Sequence, residues 1–312
     1  MKITEELIRS EKPTSTALGY FDGVHKGHKA VIGEAVKNGR ENGLVPTVFT
    51  LLQSPRTVLR GEPSNNIITL DEKLHELESL GVEQVYLIDF RGIKDITAED
   101  FVRDIISGCF NARHIACGFN YHFGAGAKGS GAQLEEMCRG FGISVIARPR
   151  ITFDNSPISS TRIRSCIVEG NIEAANSMLG REYGFCLPVI HGRQLGRQWG
   201  TPTINQKFPS ELVRPRFGVY ASVVTVDGKK YCGVTNIGIK PTVGSEHVLI
   251  ETWMPDYTGR MLYDEKIDIR LIGYIRDEKL FSTVEKLKKE IYKNGEQAKK
   301  LFACYYRKEA TN

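Results

Sequence analysis

Short β-rich runs alternate with helical patterns through the first half of the chain. The apolar spacing predicts strands at Ser15–Gly19, Val45–Thr50, Val85–Ile88, His114–Gly118 and Ser144–Ala147. Alternation of this kind predicts a parallel sheet with helices on both faces, in which ligands bind at the carboxyl ends of the strands. The segment Gly19–His28 leaves the first predicted strand at that edge.

Two of the intervening helices carry their own start or stop signals. Thr97 and Asp100 resemble a capping box that opens a helix over Glu99–Ser107. Gly81 follows a helical pattern over Glu72–Leu80 and is placed to end that helix.

The pattern changes near Tyr183, where strand signals replace the alternation. Asp227 and Gly228 tolerate positive φ, which predicts a hairpin between the runs on either side of them. We therefore expect a mostly antiparallel small barrel closed by one terminal helix. Its predicted elements are strands at Val219–Val226, Lys229–Val234, His247–Met254 and Lys266–Ile275, and a helix over about Thr283–Phe302. Two domains are predicted, residues 1–182 and residues 183–312.

Composition narrows the class of protein. Hydrophobic residues make up 41% of the chain and charged residues 25%, as in ordinary globular proteins. No apolar run reaches the length of a membrane span, and the N-terminal residues have no apolar signal core. The seven cysteines are scattered without a Cys-x-x-Cys pair, which favours reduced thiols in a cytoplasmic protein. A net charge of +5 suits anionic small molecules and nucleic acid alike, and nothing in the pattern determines an oligomeric state.

The first candidate site is built around two histidines. His25 and His28 flank Gly27 where a strand is expected to give way to a helix near Lys29. A helix N-terminus offers unpaired N–H groups and partial positive charge to phosphate, and imidazoles there can donate to phosphate oxygens as charge develops. A pair of surface histidines in a turn is the simpler alternative for the short motif alone. The expected position after the first strand favours the phosphate site.

Two further segments support a nucleotide site. Ile158–Arg164 places consecutive hydroxyl groups and two arginines at a predicted helix start, where they can bind a triphosphate, although a helix cap with a solvated turn explains them too. Gly118–Gly124 follows a predicted strand and presents Asn120 between aromatic residues and glycines. Such a loop suits a ribose or a base.

The second half contains residues that suit phosphoryl transfer. Thr203 and Asn205 offer neutral oxygens of the kind that Mg²⁺ accepts beside phosphate oxygens and water. Glu251 shares one face of its predicted strand with Leu249 and Trp253. A carboxylate on an apolar face needs a partner and suits a base that takes a hydroxyl proton, whereas an edge-strand glutamate that reaches water is the plainer alternative.

The first-half segments, in this order, resemble those of the prokaryotic bifunctional riboflavin kinase/FAD synthetases. They are similar to that family's Gly-x-Phe-Asp-Gly-Val-His-x-Gly-His signature, its Gly-x-Asn/Asp-x-x-Phe-Gly loop and its Ile-Ser-Ser-Thr-x-Ile-Arg segment. The resemblance implies a Rossmann-like nucleotidylyltransferase domain that adenylylates FMN, with His25 and His28 catalytic. By resemblance, the ATP site comprises Gly19, Phe21, Asp22, Gly23, His25, His28, Asn120, Ser159, Ser160, Thr161, Arg162 and Arg164.

The second half extends the resemblance to the family's kinase module. Gly196–Asn205, Phe217–Tyr220 and Thr235–Thr242 are similar to its Gly-Arg-x-Leu-Gly-x-Pro-Thr-Ala-Asn, Gly-Val-Tyr and Asn-Ile-Gly-x-Arg/Lys-Pro-Thr segments. The resemblance implies a riboflavin kinase β-barrel in which Thr203 and Asn205 hold Mg²⁺ with ATP and Glu251 activates the ribityl hydroxyl. The kinase site would comprise Gly196, Arg197, Thr203, Asn205, Asn236, Glu251 and Arg276. For Arg276 and its neighbours Asp277 and Glu278, a surface ion-pair cluster is nearly as good an explanation.

The implied function is the ATP-dependent conversion of riboflavin to FMN and of FMN to FAD, with small molecules as partners. One segment departs from the family: Leu51–Ser54 stands where the family's Thr-Phe-Asp/Glu-Pro-x-Pro has Phe-Asp/Glu-Pro-x, so the aromatic, the acid and the first proline are lost. This departure predicts adenylylation slower than phosphorylation. The alternatives are a chain with one active module, most plausibly the kinase, and a flavin-responsive regulator that binds nucleic acid, which no basic-aromatic stripe supports.

Overall fold

The computed structural model describes residues 1–192, 200–242 and 245–309. Its chain divides into two compact units, Met1–Ser160 and Thr161–Asn312. The predicted fold class is confirmed, because the first unit holds a parallel sheet and the second a closed barrel with a C-terminal helix.

A six-stranded parallel sheet forms the centre of the first unit. The strands of this unit are β1 (Lys2–Thr4), β2 (Thr14–Leu18), β3 (Val45–Leu51), β4 (Gln84–Ile88), β5 (Ala112–Gly118), β6 (His122–Phe123), β7 (Gly129–Ser130), β8 (Ser144–Arg148), β9 (Thr152–Phe153) and β10 (Ser156–Pro157). The sheet order is β1-β4-β3-β2-β5-β8, so the chain builds outward from β2 on one side and then returns to β5 on the other. The gap between the ends of β2 and β5 is the switch point at which ligands bind in such sheets.

Helices and short helical turns connect these strands. They are α1 (Lys26–Asn42), α2 (Pro55–Arg60), α3 (Leu70–Ser79), a 3₁₀ turn at Phe90–Gly92, α4 (Ala98–Asp100) with a π-helix at Phe101–Cys109, a 3₁₀ turn at Ala125–Ala127, and α5 (Gly131–Arg139). The core beneath them is aromatic: the Tyr86 and Phe110 rings lie 4.6 Å apart, and Phe49 packs 5.4 Å from Phe110.

One predicted helix has a different form. Thr97 caps the turn as expected by accepting from the Asp100 N–H at 3.0 Å, but the chain then widens into the π-helix. The buried residues of this π-helix are Phe101, Val102, Ile105 and Ile106, and the buried Phe110 follows as its C-cap, with its N–H donating to the Ile105 carbonyl at 2.8 Å. The wider turn keeps Phe110 on the same face as Phe101 and Ile105, whereas an α-helix would turn it to the opposite side.

The second unit begins with two helices, α6 (Ser160–Glu169, whose first residue belongs to the first unit) and α7 (Ile172–Leu179). A closed barrel follows, with strand order β11-β12-β15-β14-β13-β16. Its strands are β11 (Gly184–Ile190), β12 (Thr203–Lys207), β13 (Gly218–Val226), β14 (Lys229–Thr242), β15 (Ser245–Trp253) and β16 (Lys266–Arg276), and α8 (Val284–Glu309) is the last element that the structure describes. β11 and β12 were not predicted as strands, and β14 continues well beyond the predicted Val234.

Alternation along the barrel strands separates two environments. One face carries Val234, Trp253 and Ala221, which pack against α8 through Ala298. The other face is the fully buried interior, where Thr235 lies between Ser222 and Thr252 with hydroxyl oxygens 2.8 and 2.9 Å apart. This row of paired hydroxyl groups satisfies polar side chains inside the barrel.

The helical pair α6–α7 packs on the barrel of its own unit. Asn176 of α7 donates to the Leu271 carbonyl at 2.9 Å and accepts from the Tyr183 N–H at 2.8 Å. The Arg216 N–H donates to the Ile167 carbonyl of α6 at 3.2 Å. The predicted boundary between residues 182 and 183 would separate these partners.

We therefore predict that a fragment of residues 161–312 is more stable than one of residues 183–312. Within the longer fragment, Asn176→Ala should cost roughly 1–3 kcal/mol, because it leaves two backbone groups without their partner. Ser177→Ala is the matched control, since that hydroxyl donates to the Glu173 carbonyl of its own helix. Thermal unfolding followed by circular dichroism measures both effects. Equal Tm values for the two fragments would support a boundary at residue 183.

Candidate functional site

The Gly19–His28 turn leaves the sheet at its switch point. Leu18 of β2 pairs with Phe49 of β3 and with Cys117 of β5, so the turn after β2 and the loop after β5 leave the same edge side by side. The structure thus brings two of the three predicted nucleotide segments to this edge, and the third contacts the turn through Ser160.

The backbone of this turn is strained. Phe21 has φ 53° and Val24 has φ 39°, both in the left-handed region, and Gly23 between them has φ 83°. Left-handed conformations of non-glycine residues cost about 1–3 kcal/mol each, so surrounding contacts must hold them in place. The Phe21 ring packs so closely across Gly19 that a Cβ there would lie 2.7 Å from a ring carbon.

The two predicted histidines are next to each other at the start of α1. His25 is the N-cap, and its Nδ1 accepts from the His28 N–H at 3.2 Å. The two imidazole rings are stacked with centroids 3.5 Å apart, and Phe21 packs edge-on against His28 at 5.3 Å. Because Nδ1 of His25 is an acceptor, a neutral His25 carries its proton on Nε2. The arrangement can donate hydrogen bonds to an anion at a helix N-terminus.

Other predicted residues of this site lie in the turn itself, in the hydroxyl segment at the start of α6 and in the loop after β5. Asp22 is buried, and its Oδ1 accepts from the Ile67 N–H at 2.9 Å. Ser160 donates from Oγ to the Asp22 carbonyl at 3.0 Å, which connects the hydroxyl segment to the turn, and the half-buried Ser159 precedes it. Asn120 is exposed in the tight turn after β5, which the Tyr121 N–H closes on the Gly118 carbonyl at 3.0 Å.

Thr161, Arg162 and Arg164 lie on the first turns of α6, as the sequence predicted for a helix start. Thr161 is exposed and both arginines are half-buried. All three belong to the second unit.

Sequence reasoning did not identify two residues that donate hydrogen bonds to the backbone of this turn. Thr50 of β3 donates from Oγ1 to the Tyr20 carbonyl at 2.8 Å, and Lys73 of α3 donates from Nζ to the same carbonyl at 3.2 Å. Lys73 is only 5% exposed and shares the buried face of α3 with Leu77. A charged residue on that apolar face is the one signal that could have identified it.

The segment that departs from the family lies at the carboxyl end of β3. Leu51 is the last residue of the strand and packs in the core. Leu52 and Gln53 are half-buried, and Ser54 caps α2, with Pro55 at its first turn. The departure from the family therefore lies in the side chains that follow the carboxyl end of β3.

In the second unit, strand register places three predicted residues in one row. Glu251 of β15 pairs with Asn205 of β12 on one side and with Asn236 of β14 on the other. Directly paired antiparallel residues have Cβ atoms about 4.5–5.5 Å apart, so the carboxylate and both amides share one face. Asn205 is buried, whereas Glu251 and Asn236 are half-buried.

Thr203 and Arg276 extend this row. Thr203 pairs with Trp253, two residues from the Asn205–Glu251 pair and on the same face. Asn236 pairs with Val219, which pairs in turn with Arg276 of β16. Thr203 is exposed at the end of its strand.

Arg276 is held by α8. Its Nε donates to Asn294 Oδ1 at 3.0 Å and lies 3.5 Å from Glu290 Oε1. Burial lowers the pKa of Arg276, an effect that the Glu290 carboxylate partly offsets. Its neighbour Asp277 instead pairs with Arg216 at 2.8 Å. The arginine is thus oriented by the helix and also donates from Nη1 to the Asp277 backbone carbonyl at 2.8 Å, whereas the Asp277 carboxylate belongs to the ion pair with Arg216.

Gly196 and Arg197 of the predicted kinase site lie outside the described residues. Within the described ranges, no helix has both the length and the apolar character required to cross a membrane.

Comparisons with known proteins match a separate family model to each half of the chain. A family model described as FAD synthetase matches residues 7–162, and one described as riboflavin kinase matches residues 179–302. The bifunctional riboflavin kinase/FMN adenylyltransferase of Bacillus subtilis is 34% identical over 305 residues, which cover 95% of each chain. The protein of the same name from Escherichia coli K12 is 31% identical over 288 residues, which cover 91% of each chain.

A solved structure from Streptococcus pneumoniae, described as a macrolide-efflux protein, has the same fold. It superimposes with a TM-score of 0.86 at 30% identity, covering 95% of this chain and 98% of that one. The family matches extend over both units of the chain. The chain belongs to the family of bifunctional riboflavin kinase/FMN adenylyltransferases.

Proposed function

We propose that this enzyme makes FMN from riboflavin and FAD from FMN, each with ATP, at two separate sites. The observation that supports this proposal is that each half contains the group of residues its reaction needs. The first half has stacked histidines at a helix N-terminus. The second half has the Asn205–Glu251–Asn236 row. Both reactions are in-line displacements at phosphorus, so catalysis rests on positioning and charge stabilisation.

In the kinase site, Glu251 is proposed as the general base. It takes the proton of the terminal ribityl hydroxyl while that oxygen attacks the γ-phosphorus of ATP and ADP leaves. Its cross-strand neighbours Asn205 and Asn236 offer amide groups to substrate on either side. Arg276 lies in the same row and is proposed to contact the flavin or its phosphate.

Thr203 and Asn205 fit a Mg²⁺ ion that accompanies ATP. Both offer neutral oxygens, and the Asn205 amide lies against Gly192, where a Cβ would come within 2.5 Å of Nδ2. That close backbone approach fixes the orientation of the amide. When bound, Mg²⁺ neutralises phosphate charge.

In the adenylylation site, an FMN phosphate oxygen attacks the α-phosphorus of a second ATP and pyrophosphate leaves. His25 and His28 are proposed to donate hydrogen bonds to the α-phosphate as charge develops. The other contributors are Gly19, Phe21, Asp22, Gly23, Asn120, Ser159, Ser160, Thr161, Arg162 and Arg164. Asp22 and Ser160 hold the turn through hydrogen bonds to backbone groups.

The segment Leu51–Ser54 supports a slower second reaction. Leu52 occupies the position of the family's acid at the carboxyl edge of the sheet and brings no carboxylate there. We also propose a cytoplasmic location, which suits ATP-dependent synthesis and the seven free thiols.

We predict that Glu251→Gln lowers the turnover of riboflavin to FMN by roughly two to four orders of magnitude, as expected on loss of a general base. FAD formation from supplied FMN should be unchanged, and the exposed Glu211→Gln should behave as wild type. Product chromatography under saturating ATP measures both rates. Unchanged kinase turnover in Glu251→Gln would refute the assignment.

We predict that His28→Ala lowers FAD formation about a hundredfold, the usual effect of losing one donor to a charged transition state. FMN formation in the same preparation should continue at the wild-type rate. His75→Ala, an exposed histidine of the same unit, is the matched control. If both variants adenylylate FMN equally well, His28 has no role in charge stabilisation.

A further inference from the structure

Lys73 is a buried lysine that takes no direct part in either proposed reaction. It occupies the inner face of α3, where its neighbour one turn later, Leu77, is completely buried. Long charged side chains at such positions are rare unless they have a partner. What surrounds the ammonium group therefore indicates its role.

The Lys73 ammonium contacts the histidine-bearing turn directly. Nζ donates to the Tyr20 carbonyl at 3.2 Å and lies 4.4 Å from the centroid of the Tyr20 ring. The same carbonyl accepts from Thr50 Oγ1, so α3 and β3 fix one backbone group from two directions. Tyr20 is the residue immediately before the first strained position, Phe21.

The charges of Lys73 and Asp22 are consistent with this contact. Burial lowers the pKa of Lys73 to about 8, and the carboxylate of Asp22 opposes that fall. Asp22 is itself fixed through the Ile67 N–H and, at its carbonyl, through Ser160. On the adjoining elements, Lys29 of α1 and Glu76 of α3 pair with each other at 3.3 Å, and Asp71 and Glu72 lie in the first turn of α3.

Phe21 and Val24 would relax toward ordinary backbone angles if their neighbours did not prevent it. His25 and His28 follow within a few residues, so such relaxation would displace both imidazoles. A displacement of about 1 Å at a catalytic group can cost a hundredfold in rate.

We propose that Lys73 is a positioning residue for adenylyl transfer: its ammonium group holds the Tyr20 carbonyl beside Asp22, and so keeps the strained turn in the shape that presents His25 and His28. This role rests on the proposed FAD synthesis. Lys73 does not contact the reacting atoms in this account, and the kinase reaction does not depend on it.

The test compares Lys73→Met, which keeps the length of the side chain and removes the donor, with Leu77→Ala, which removes apolar volume from the same buried face and leaves the Lys73 donor in place. Lys73→Met should lower kcat for FMN adenylylation at least tenfold with a smaller change in KM, while FMN formation by the same molecule stays constant. Leu77→Ala should lower Tm and leave kcat near wild type below its melting range. Equal kcat in Lys73→Met and wild type overturns the proposal, whereas wild-type protein that makes no FAD overturns the proposed function.

The pH profile separates positioning from simple stability. The ammonium form is the active one, so wild-type kcat/KM for adenylylation should fall as pH rises through about 8. Lys73→Arg stays charged and should move that fall to higher pH, while Lys73→Met should show a uniformly low rate without it. If Lys73→Met unfolds the first unit, the comparison of the wild-type and Lys73→Arg pH profiles still tests the proposal. An identical fall near pH 8 in Lys73→Arg or Lys73→Met contradicts the proposal.

Discussion

Strand register is the constraint on which both sites depend. In the first unit, the pairing of Leu18 with Phe49 and Cys117 brings the turn after β2 and the loop after β5 to one edge of the sheet. In the second unit, the pairing of Asn205, Glu251 and Asn236 builds a row of polar side chains from three strands. A slip of one residue would turn each of these side chains to the opposite face, so the sites exist only in this register.

The barrel fixes its register through burial. Glu251 lies between Ile250 and Thr252, which are fully buried in the interior, and the hydroxyl of Thr252 bonds to Thr235. Displacing β15 by one residue would bury the Glu251 carboxylate and expose the isoleucine, which is costly on both counts. The same alternation that stabilises the barrel therefore presents the proposed base. In the first unit, strand register alone does not fix the site. The strained turn must also be held by contacts from β3, α3 and the start of α6.

Much of this could be predicted from the sequence, since the periods of strands and helices and the His-x-Gly-His motif are local signals. The local signals located His25, His28, Asn205 and Glu251 but gave no distances, because pairing between strands such as β12 and β15 is long-range. Lys73 escaped notice because a lysine on a helix normally reaches water, and its burial depends on a tertiary contact with Tyr20. The π-helix at Phe101–Cys109 was missed for a related reason: core packing, rather than helix propensity, sets its wider turn.

The central claim is that one chain moves two different phosphorus atoms of ATP onto a flavin. The most direct measurement follows riboflavin through a time course with ATP labelled either at the γ- or at the α-phosphorus, and separates the flavins by chromatography. The account predicts γ-label first in FMN and later in FAD, and α-label only in FAD, after a lag during which FMN accumulates. Absence of either label from the flavin products would contradict a two-site enzyme, and FAD formation without a lag would contradict the slower second step.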